Sequence, residues 1–472
     1  MSLGILRVAA QLEVNGYGVE MVDLSGIANY TDAIADHVSL TSANVFGLTA
    51  TTPQMPAAGK IRETIRACRP DARIILGGPH ITLVHAAYKR EAKLGINGRA
   101  TRTLNKLLEQ YDVLVAGDGE EAIFLAVSKK PAKLIDADDP STALFLTNSR
   151  LNELPWPARH LVDVQSYNYT IEGERALSLI AQLGCPFACS FCGGRESPML
   201  RRIRMRSAEN VVGEIRHLHE RYGVSAAMAY DDELNVNPKM VELMNAIAKL
   251  GTDLSVNFKL RGFIKSQLFT DEQAEAMYRA GFRWILVGFE SGSERILENI
   301  NKKATRAENT RCMEIARRNG LKVKALMSIG HAGESAETVQ ATKDWLLEVK
   351  PDDFDCTIIS TYPGTPYFDQ AIERTPGIWT YTCPKSRDTL HSREIDYSEE
   401  AQYYKGKVGE YVSYVHTDSL TGEDLVKLRD ALESDVRAKL GIPFNQSSAA
   451  MRYEHSMGQA GPLPPHILKS SP

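Results

Sequence analysis

Three cysteines in the middle of the chain have the spacing of an iron–sulfur site. Cys185, Cys189 and Cys192 are separated by three residues and then by two. Three thiolates in one loop can each bind one iron of a 4Fe-4S cubane, so that the fourth iron has no protein ligand and can bind an external chelating molecule. The loop therefore predicts a cluster that is open to a small ligand.

Two other kinds of site also use clustered cysteines. A structural zinc site normally has a fourth Cys or His at short spacing, and the sequence has none close to Cys192. A redox dithiol made of Cys189 and Cys192 would leave Cys185 without a role. The cluster accounts for all three residues.

The cysteine loop begins a series of strand–helix units. Apolar runs that predict strands are followed by capped amphipathic helices about six times. The predicted strands are 177–183, 224–230, 254–260, 284–289, 323–329 and 353–360. Because ligands of such barrels lie at the carboxyl ends of the strands, the cysteines follow the first strand where chemistry is expected. The pattern predicts a partial (β/α)6 TIM-like barrel.

The first 150 residues predict a separate α/β domain. Predicted strands at 19–24, 45–50, 73–76, 113–116 and 143–147 alternate with helical stretches. This alternation favours a doubly wound, Rossmann-like parallel sheet. The predicted domains are the N-terminal domain (1–150), a proline-containing linker (151–170), the barrel (171–375), a small and mostly helical C-terminal segment (376–442) and a disordered tail (443–472).

Composition limits the possible partners. The formal charge is −4 and the pI is about 6.3, so no broad basic surface for nucleic acid is expected. The sequence has no apolar run of the roughly 18–20 residues that span a membrane, and its N-terminus has no signal-peptide pattern. We therefore expect a cytoplasmic protein that acts on a small molecule or a biosynthetic intermediate.

The cysteine loop and the units after it resemble the radical S-adenosylmethionine superfamily, over about residues 176–371. The resemblance implies that the amino and carboxylate groups of S-adenosylmethionine chelate the open iron. It also implies cofactor contacts at the ends of the strands. These contacts are Asp231, Asp232 and Glu233 for the amino group, Arg261 after the third strand for the carboxylate, and Glu290 with Ser291 for the ribose. We expect Arg201, Arg202, Arg204 and Arg206 to form a solvated face, and His331 to be a loop residue.

The N-terminal domain resembles the cobalamin-binding module that precedes many such barrels. The resemblance implies cobalamin contacts at Thr51, Gly77, Gly78, His80, Gly117, Gly119 and Glu120. The sequence departs from the family in two ways. The family's first strand would come before Leu3, where this chain begins with a helix, and the Asp-x-His-x-x-Gly signature of a lower axial histidine is absent.

Together the two resemblances imply a cobalamin-dependent radical methyltransferase. A 5′-deoxyadenosyl radical would abstract hydrogen from an unactivated carbon, and methylcobalamin would then donate the methyl group. A reductant such as flavodoxin or ferredoxin would supply electrons. Two alternatives remain from the sequence. One is a radical enzyme that cyclises, rearranges or oxidises its substrate and uses the N-terminal domain as a scaffold; the other is a zinc-stabilised binding protein.

Overall fold

The N-terminal domain is a four-stranded parallel sheet with helices packed against it. The computed structural model describes residues 1–24, 27, 29–167, 169–401 and 412–443. The strands lie in the order β1-β2-β3-β4. The strands are β1 (Val45–Thr49), β2 (Arg73–Gly77), β3 (Val113–Gly117) and β4 (Leu134–Ala137). The helices are α1 (Leu3–Val14), α2 (Tyr30–Leu40), α3 (Met55–Cys68), α4 (Pro79–Leu94), α5 (Arg99–Gln110), α6 (Gly119–Ala126) and α7 (Asn148–Glu153).

The central strands explain why this segment folds as an α/β domain. β2 and β3 are almost continuously apolar, and their side chains are buried on both faces of the sheet. A parallel sheet with helices on its faces requires such strands. Ile74 and Leu76 pack with α3 and α4 on one face, whereas Ile75 packs with α6 on the other. The predicted open α/β sheet is confirmed.

Two predicted strands of this domain are wrong. Residues 143–147 form a turn, and the fourth strand is instead β4, at residues 134–137. Residues 19–24 form no ladder with any described strand. In a doubly wound sheet this segment pairs with the strand before the first helix, and no such strand is among the described residues. The side chains of Val22 and Leu24 still pack against the core of the sheet.

The second domain is a half-barrel of six parallel strands. In the seven-stranded sheet β13-β12-β11-β10-β9-β6-β5, only β5 runs antiparallel to its neighbour. The barrel strands are β6 (Glu174–Leu179), β9 (Ala226–Ala229), β10 (Lys259–Ile264), β11 (Phe282–Glu290), β12 (Lys322–Ile329) and β13 (Asp353–Ile358). The shorter strands are β5 (Thr170–Ile171), β7 (Gln182–Leu183) and β8 (Arg204–Met205). The helices are α8 (Pro198–Arg201), α9 (Ala208–Tyr222), α10 (Met240–Leu254), α11 (Asp271–Ala280), α12 (Glu294–Asn299), α13 (Arg306–Arg318) and α14 (Ala336–Val349). The predicted partial barrel is confirmed.

The third barrel strand lies further along the chain than predicted. The apolar residues at 254, 256 and 258 were expected to belong to a strand at 254–260, but α10 continues to Leu254 and ends at Ser255 in the left-handed conformation. The strand β10 begins only at Lys259. Leu254 and Val256 pack against the helical side of the core instead. This shift places Arg261 inside the strand rather than after it.

In the described part of the C-terminal segment, strands precede the predicted helix, so the helical prediction holds only for the last part of the segment. Four short strands form an antiparallel sheet, and one long helix follows. The elements are α15 (Pro366–Asp369), β14 (Ile372–Thr375), β15 (Ile378–Thr382), β16 (Thr389–Arg393), β17 (Val415–His416) and α16 (Gly422–Leu440). The predicted disordered tail lies, apart from Pro443, outside the described residues.

Helix α16 lies along β13, the last strand of the half-barrel. The backbone N–H of Cys356 donates to Glu433 Oε1 at 2.6 Å. Arg429 Nε donates to the carbonyl of the same cysteine at 3.1 Å. Side chains of α16 thus bond to the outer edge of the barrel sheet. Across the described ranges, no helix is long and apolar enough to cross a membrane.

Candidate functional site

The cysteine loop begins directly after Gly184, a position where the fold requires glycine. Gly184 follows β7 and has φ of +86°, a conformation that residues with a Cβ rarely adopt. A Cβ atom there would lie 2.2 Å from the carbonyl oxygen of Arg202. The N–H of Cys185 donates to the carbonyl of Leu200 at 3.0 Å. The loop therefore folds back onto the segment that follows it.

Side chains hold the carbonyl groups of the loop in place. Arg201 donates to the carbonyls of Pro186 at 2.7 Å and Phe187 at 2.8 Å. Arg195 and Asn301 both donate to Ala188 O, at 3.0 and 2.8 Å. The expected solvated arginine face is therefore wrong in part. Arg204 and Arg206 are also buried, at 3% and 6% exposure, because they pair with Asp118 and Glu214.

The environment of two of the three thiols disfavours free thiolates. Cys189 is buried, Cys185 is half-buried and Cys192 is solvent-accessible. Burial raises the pKa of Cys185 to about 11 and that of Cys192 to about 12. Nearby negative groups, including Asp232 and the neighbouring thiols, add to both shifts because they disfavour a further negative charge. Iron would replace the protons on these sulfurs, so the three-thiol donor set fits a cluster. Within the described ranges, no group of three or more His, Cys, Asp or Glu is arranged to hold a single metal ion.

Two buried lysines accompany the loop and were not predicted from the sequence. Lys265 Nζ lies 4.1 Å from the centre of the Phe187 ring and donates to the carbonyl of Lys302 at 3.1 Å. Burial lowers the pKa of Lys265, and the charge of Lys302 lowers it further. Both lysines follow barrel elements directly, but their sequence positions do not reveal that they meet. They place positive charge beside a loop that would carry three thiolates.

The acidic residues after β9 have different surroundings. Asp231 is buried and accepts hydrogen bonds from the N–H groups of Ala181 and Gln182, before the cysteine loop. Asp232 is solvent-accessible and accepts from the N–H of Gly184 at 3.1 Å. Burial raises the pKa of Asp231 and of Glu233 to about 7. Asp231 thus orients the start of the loop, whereas Asp232 has the solvent access that a ligand of a cationic amine needs.

Glu290 ends β11 in a strained conformation. Its φ is +66°, and the ladder to β12 is irregular between Gly288 and Glu290. Lys302 Nζ donates to Glu290 Oε1 at 3.0 Å, and Ser328 Oγ donates to Oε2 at 2.7 Å. Burial alone would raise the pKa of Glu290, but the charge of Lys302 and these hydrogen bonds lower it. The group is an ionised acceptor at the mouth of the barrel.

Ser291 lies next to Glu290 but bonds elsewhere. It is buried, and its hydroxyl lies 3.1 Å from Thr342 Oγ1 of α14. It also accepts from the N–H of Ser293 at 3.1 Å. The structure gives Ser291 a role in fixing the turn after β11.

Arg261 is not brought to the cysteine loop. It lies in β10, paired with Met228 and Trp284, and donates to Tyr169 Oη at 2.5 Å. Glu290 lies six residues beyond Trp284 on β11, or about 20 Å along the strand. Arg261 therefore lies within β10, three residues before the end of the strand, rather than beyond the strand end where its cofactor role was predicted.

In the N-terminal domain, the predicted residues at the ends of β1 and β2 have different local roles. Thr51 is exposed and begins a short turn with Gln54. Gly78 has φ of +98°, and a Cβ there would lie 2.4 Å from Thr49 Oγ1. A Cβ at Gly77 would meet only Val115, at 3.6 Å. The packing of the chain thus requires glycine at 78 but not at 77.

His80 follows these glycines on α4 and is buried. Its Nδ1 lies 3.1 Å from Thr52 Oγ1. Burial lowers the pKa of His80 to about 4, so the ring is neutral. A neutral imidazole at the end of β2 is compatible with a neighbouring ligand.

The residues after β3 are used within the protein. A Cβ at Gly117 would lie 2.3 Å from the carbonyl carbon of Ala137, and one at Gly119 would lie 3.0 Å from Val8 of α1. Glu120 is buried. Asp118, which was not predicted, accepts from the N–H of Leu146 at 2.9 Å and pairs with Arg204 of the barrel. Internal packing thus accounts for the glycines of this motif.

Two family models match the chain. Residues 179–346 match the radical SAM superfamily, and residues 1–108 match the B12 binding domain. The first match contains the three cysteines and Glu290. The second contains Thr51 and His80 but ends before Gly117. The two predicted domains therefore each match the family that their motifs resemble.

The chain is also similar to characterised and uncharacterised relatives along most of its length. It is 27% identical over 375 residues to an uncharacterized methyltransferase of Pyrococcus horikoshii, and this alignment covers 78% of each chain. It is 27% identical over 395 residues to the cytidylyl-2-hydroxyethylphosphonate methyltransferase of Streptomyces wedmorensis, covering 73% of each. It is 22% identical over 386 residues to the anaerobic magnesium-protoporphyrin IX monomethyl ester cyclase of Rubrivivax gelatinosus, covering 78% of this chain and 65% of the relative.

Two solved structures share the fold. The radical S-adenosylmethionine methyltransferase TsrM from Kitasatospora setae, with cobalamin and a [4Fe-4S] cluster bound, superposes with a TM-score of 0.61 at 18% identity. The alignment covers 92% of this chain and 85% of TsrM. OxsB, a cobalamin-dependent S-adenosylmethionine radical enzyme, gives a TM-score of 0.56 at 16% identity, over 77% of this chain and 52% of OxsB.

Proposed function

We propose that this chain, a radical S-adenosylmethionine superfamily enzyme with an N-terminal B12-binding domain, transfers a methyl group to an unactivated carbon of a small molecule. Its cofactors are a 4Fe-4S cluster, S-adenosylmethionine and cobalamin. The match to the radical SAM superfamily explains the three cysteines as cluster ligands, so we do not propose a zinc-stabilised binding protein. The acceptor carbon and the electron donor are proposals, with flavodoxin or ferredoxin as the donor class.

One arrangement carries the proposal: the ends of the N-terminal strands bond to the segment that follows the cysteine loop. Asp138, just after β4, accepts from Ser197 Oγ at 2.7 Å and from the N–H of Met199 at 2.8 Å. Asp118, just after β3, pairs with Arg204. Ligands of open α/β sheets lie at this edge of the sheet. A corrinoid at that edge would therefore lie next to the cluster loop, as methyl transfer requires.

The residues of the barrel would bind and orient S-adenosylmethionine. Cys185, Cys189 and Cys192 would hold the cluster, and Asp232 with Glu233 would accept from the amino group of S-adenosylmethionine. Glu290, ionised and directed by Lys302, would accept from the ribose hydroxyls. When bound, the reduced cluster would supply the electron that cleaves S-adenosylmethionine to a 5′-deoxyadenosyl radical, and the corrinoid would deliver the methyl group.

On the N-terminal side, Thr51 and Gly77 would contact the corrinoid. Thr51 offers an exposed hydroxyl, and Gly77 leaves room that the packing of the protein does not need. His80, which is buried beside them, would support the site through its contact with Thr52. We assign Gly117, Gly119 and Glu120 to packing contacts within the protein rather than to the corrinoid.

A second function is favoured by the similarity to a cyclase. The anaerobic magnesium-protoporphyrin IX monomethyl ester cyclase matches 78% of this chain and is named for ring formation rather than methyl transfer. In a reaction of that type, the radical chemistry would end in cyclisation of the substrate.

Product analysis separates the two functions. The full chain would be reconstituted anaerobically with iron, sulfide and hydroxocobalamin, freed of unbound corrinoid, and given a strong reductant and S-adenosylmethionine. We expect bound corrinoid and corrinoid-dependent formation of S-adenosylhomocysteine. A protein that retains no corrinoid, or that forms only 5′-deoxyadenosine, would contradict methyl transfer.

A pair of variants locates the corrinoid. Gly77→Leu is expected to lower the amount of bound corrinoid, because the side chain occupies the space at the end of β2. Gly59→Leu in α3 is the matched control, since a Cβ there has no neighbour within 4 Å. Equal corrinoid retention by both variants would exclude Gly77 from the site.

A further inference from the structure

A continuous hydrogen-bonded chain connects Glu290 to residues that the proposed function does not use. Ser328 Oγ, which donates to Glu290 Oε2, lies 2.8 Å from His331 Nε2. His331 Nδ1 lies 3.2 Å from the hydroxyl of Tyr367. All three of these partners are buried, with His331 and Tyr367 at 0% exposure. The chain therefore runs through the interior from the mouth of the barrel to α15.

The direction of every hydrogen bond in this chain follows from the ionised carboxylate. Glu290 can only accept, so Ser328 uses its single hydroxyl proton to donate to it. The Ser328 oxygen must then accept from His331, which places a proton on Nε2. Burial lowers the pKa of His331 to about 4, so the ring is neutral, and its Nδ1 accepts from the hydroxyl of Tyr367. All the donors point toward Glu290.

The same histidine contacts the cysteine loop. The ring of Phe191, between Cys189 and Cys192, packs edge-on against His331 with 5.3 Å between ring centres. The N–H of Tyr367 donates to the carbonyl of Ser190 at 3.3 Å. His331 thus lies between the loop that would hold the cluster and the carboxylate that would hold the nucleoside.

Glu290 needs such support because its conformation is unfavourable. A residue with a Cβ at φ of +66° is strained, and the side chain turns back over its own strand. A Cβ at Gly288 would lie 2.6 Å from Glu290 Oε1. Lys302 fixes one carboxylate oxygen and Ser328 the other. Without the second contact, the carboxylate could rotate away from the mouth of the barrel.

We propose that His331 is a positioning residue: its Nε2–H fixes the Ser328 hydroxyl, which holds Glu290 in the orientation that binds the ribose of S-adenosylmethionine. The inference rests on the proposed role of Glu290 and adds a second layer to that site. His331 does not touch the cofactor. Its effect passes through Ser328. Its packing against Phe191 fixes the position of the Glu290 carboxylate relative to the cysteine loop.

The test measures binding of S-adenosylmethionine by the anaerobically reconstituted full chain in equilibrium dialysis. His331→Phe keeps the ring but removes the donor, Ser328→Ala removes the relay, and His331→Gln restores an N–H near the position of Nε2. We expect the first two variants to bind about tenfold more weakly, because Ser328→Ala removes the hydrogen bond to the Glu290 carboxylate and His331→Phe leaves the Ser328 hydroxyl free to turn away from it. His331→Gln is expected to bind close to wild type.

Two further variants complete the design. Glu290→Gln tests the proposed nucleoside site itself and is expected to weaken binding. His219→Phe is the matched control, because His219 makes one hydrogen bond and one edge-on ring contact in α9, away from the site. Iron content of each variant reports whether the loop is intact. If His331→Phe loses iron, Ser328→Ala decides, since it leaves the contact with Phe191 in place.

The outcomes separate the two levels of the proposal. Normal binding by Glu290→Gln would remove the nucleoside role of Glu290, and the inference with it. Weak binding by Glu290→Gln with normal binding by Ser328→Ala would overturn the role of His331 and leave the proposed function standing. Equal weakening by His331→Phe and His331→Gln would show that the Nε2–H donor is not what matters.

Discussion

Leu83 of the N-terminal domain contacts Gly193 of the barrel so closely that a Cβ atom on Gly193 would lie 2.9 Å from Leu83 Cδ2. Leu83 is on α4, which begins directly after Gly78 at the end of β2. Gly193 follows Cys192. The edge of the sheet that matches the B12-binding family and the loop that carries the cysteines therefore meet at one boundary.

The three clustered cysteines are expected to be individually necessary for the cluster. Serine at Cys185, Cys189 or Cys192 removes one thiolate ligand, so iron and acid-labile sulfide per chain should fall sharply after anaerobic reconstitution. Cys68→Ser is the control, because Cys68 is exposed at the end of α3. Wild-type iron content in any of the three loop variants would exclude that cysteine as a ligand.

Gly184 is expected to be the most demanding glycine of the loop. Gly184→Ala combines a left-handed backbone with a contact of 2.2 Å to Arg202 O, and should cost roughly 3 kcal/mol or more. Gly223 is matched, since its φ is +64° but nothing lies within 4 Å of its Cβ position. Gly223→Ala should cost only about 1–2 kcal/mol. Urea unfolding measures both; equal costs would mean that the backbone of Arg202 yields easily.

Asp118 and Arg204 are expected to be strongly coupled across the domain boundary. Both are buried, at 2% and 3% exposure, so Arg204→Met leaves a buried carboxylate without its partner and should cost about 3–5 kcal/mol of unfolding free energy. Replacing both, as Asp118→Asn with Arg204→Met, should cost less than the sum of the single changes. Additive costs in denaturant unfolding would argue against a pair.

Glu334 is expected to make stability depend on pH. Burial raises the pKa of Glu334 from 4.5 to about 7. The folded protein therefore holds this proton more tightly than the unfolded chain. The resulting contribution of Glu334 to the free energy of unfolding is fully present below pH 4.5. It is lost as the pH rises toward 7, by at most about 1.4 kcal/mol per unit. Glu334→Gln should reduce the dependence of the free energy of unfolding on pH between 4.5 and 7, as measured by unfolding at several pH values. An unchanged pH dependence would show that Glu334 is not the group responsible.

Local patterns predicted the parts of the site that depend on local sequence. The cysteine spacing and the position of Glu290 at a strand end both follow from residues near one another in the chain. The contacts of Glu290 do not. Lys302 is twelve residues away, and Ser328 lies on the next strand. No periodicity reveals that these side chains meet, so the buried charges around the loop became visible only in three dimensions.

The errors have a common origin in weak local signals. The apolar residues at 254, 256 and 258 fit a helix end and a loop as well as a strand, so the third strand was predicted to end just before Arg261, which instead lies inside β10. Residues 19–24 have strand composition but no described neighbouring strand to pair with. The short strands β14 to β17 alternate too briefly to predict a sheet. In each case, long-range pairing decides what the local pattern leaves open.

The last strand of the half-barrel, β13, has no described neighbouring strand on one side. Helix α16 packs against that open edge. Open edges of this kind present backbone groups that can recruit a strand from another molecule and start aggregation. Glu433 and Arg429 occupy the N–H and C=O of Cys356. The C-terminal helix therefore covers this edge of the sheet, and a protein shortened before Gly422 should aggregate more readily than the full chain, as measured by light scattering.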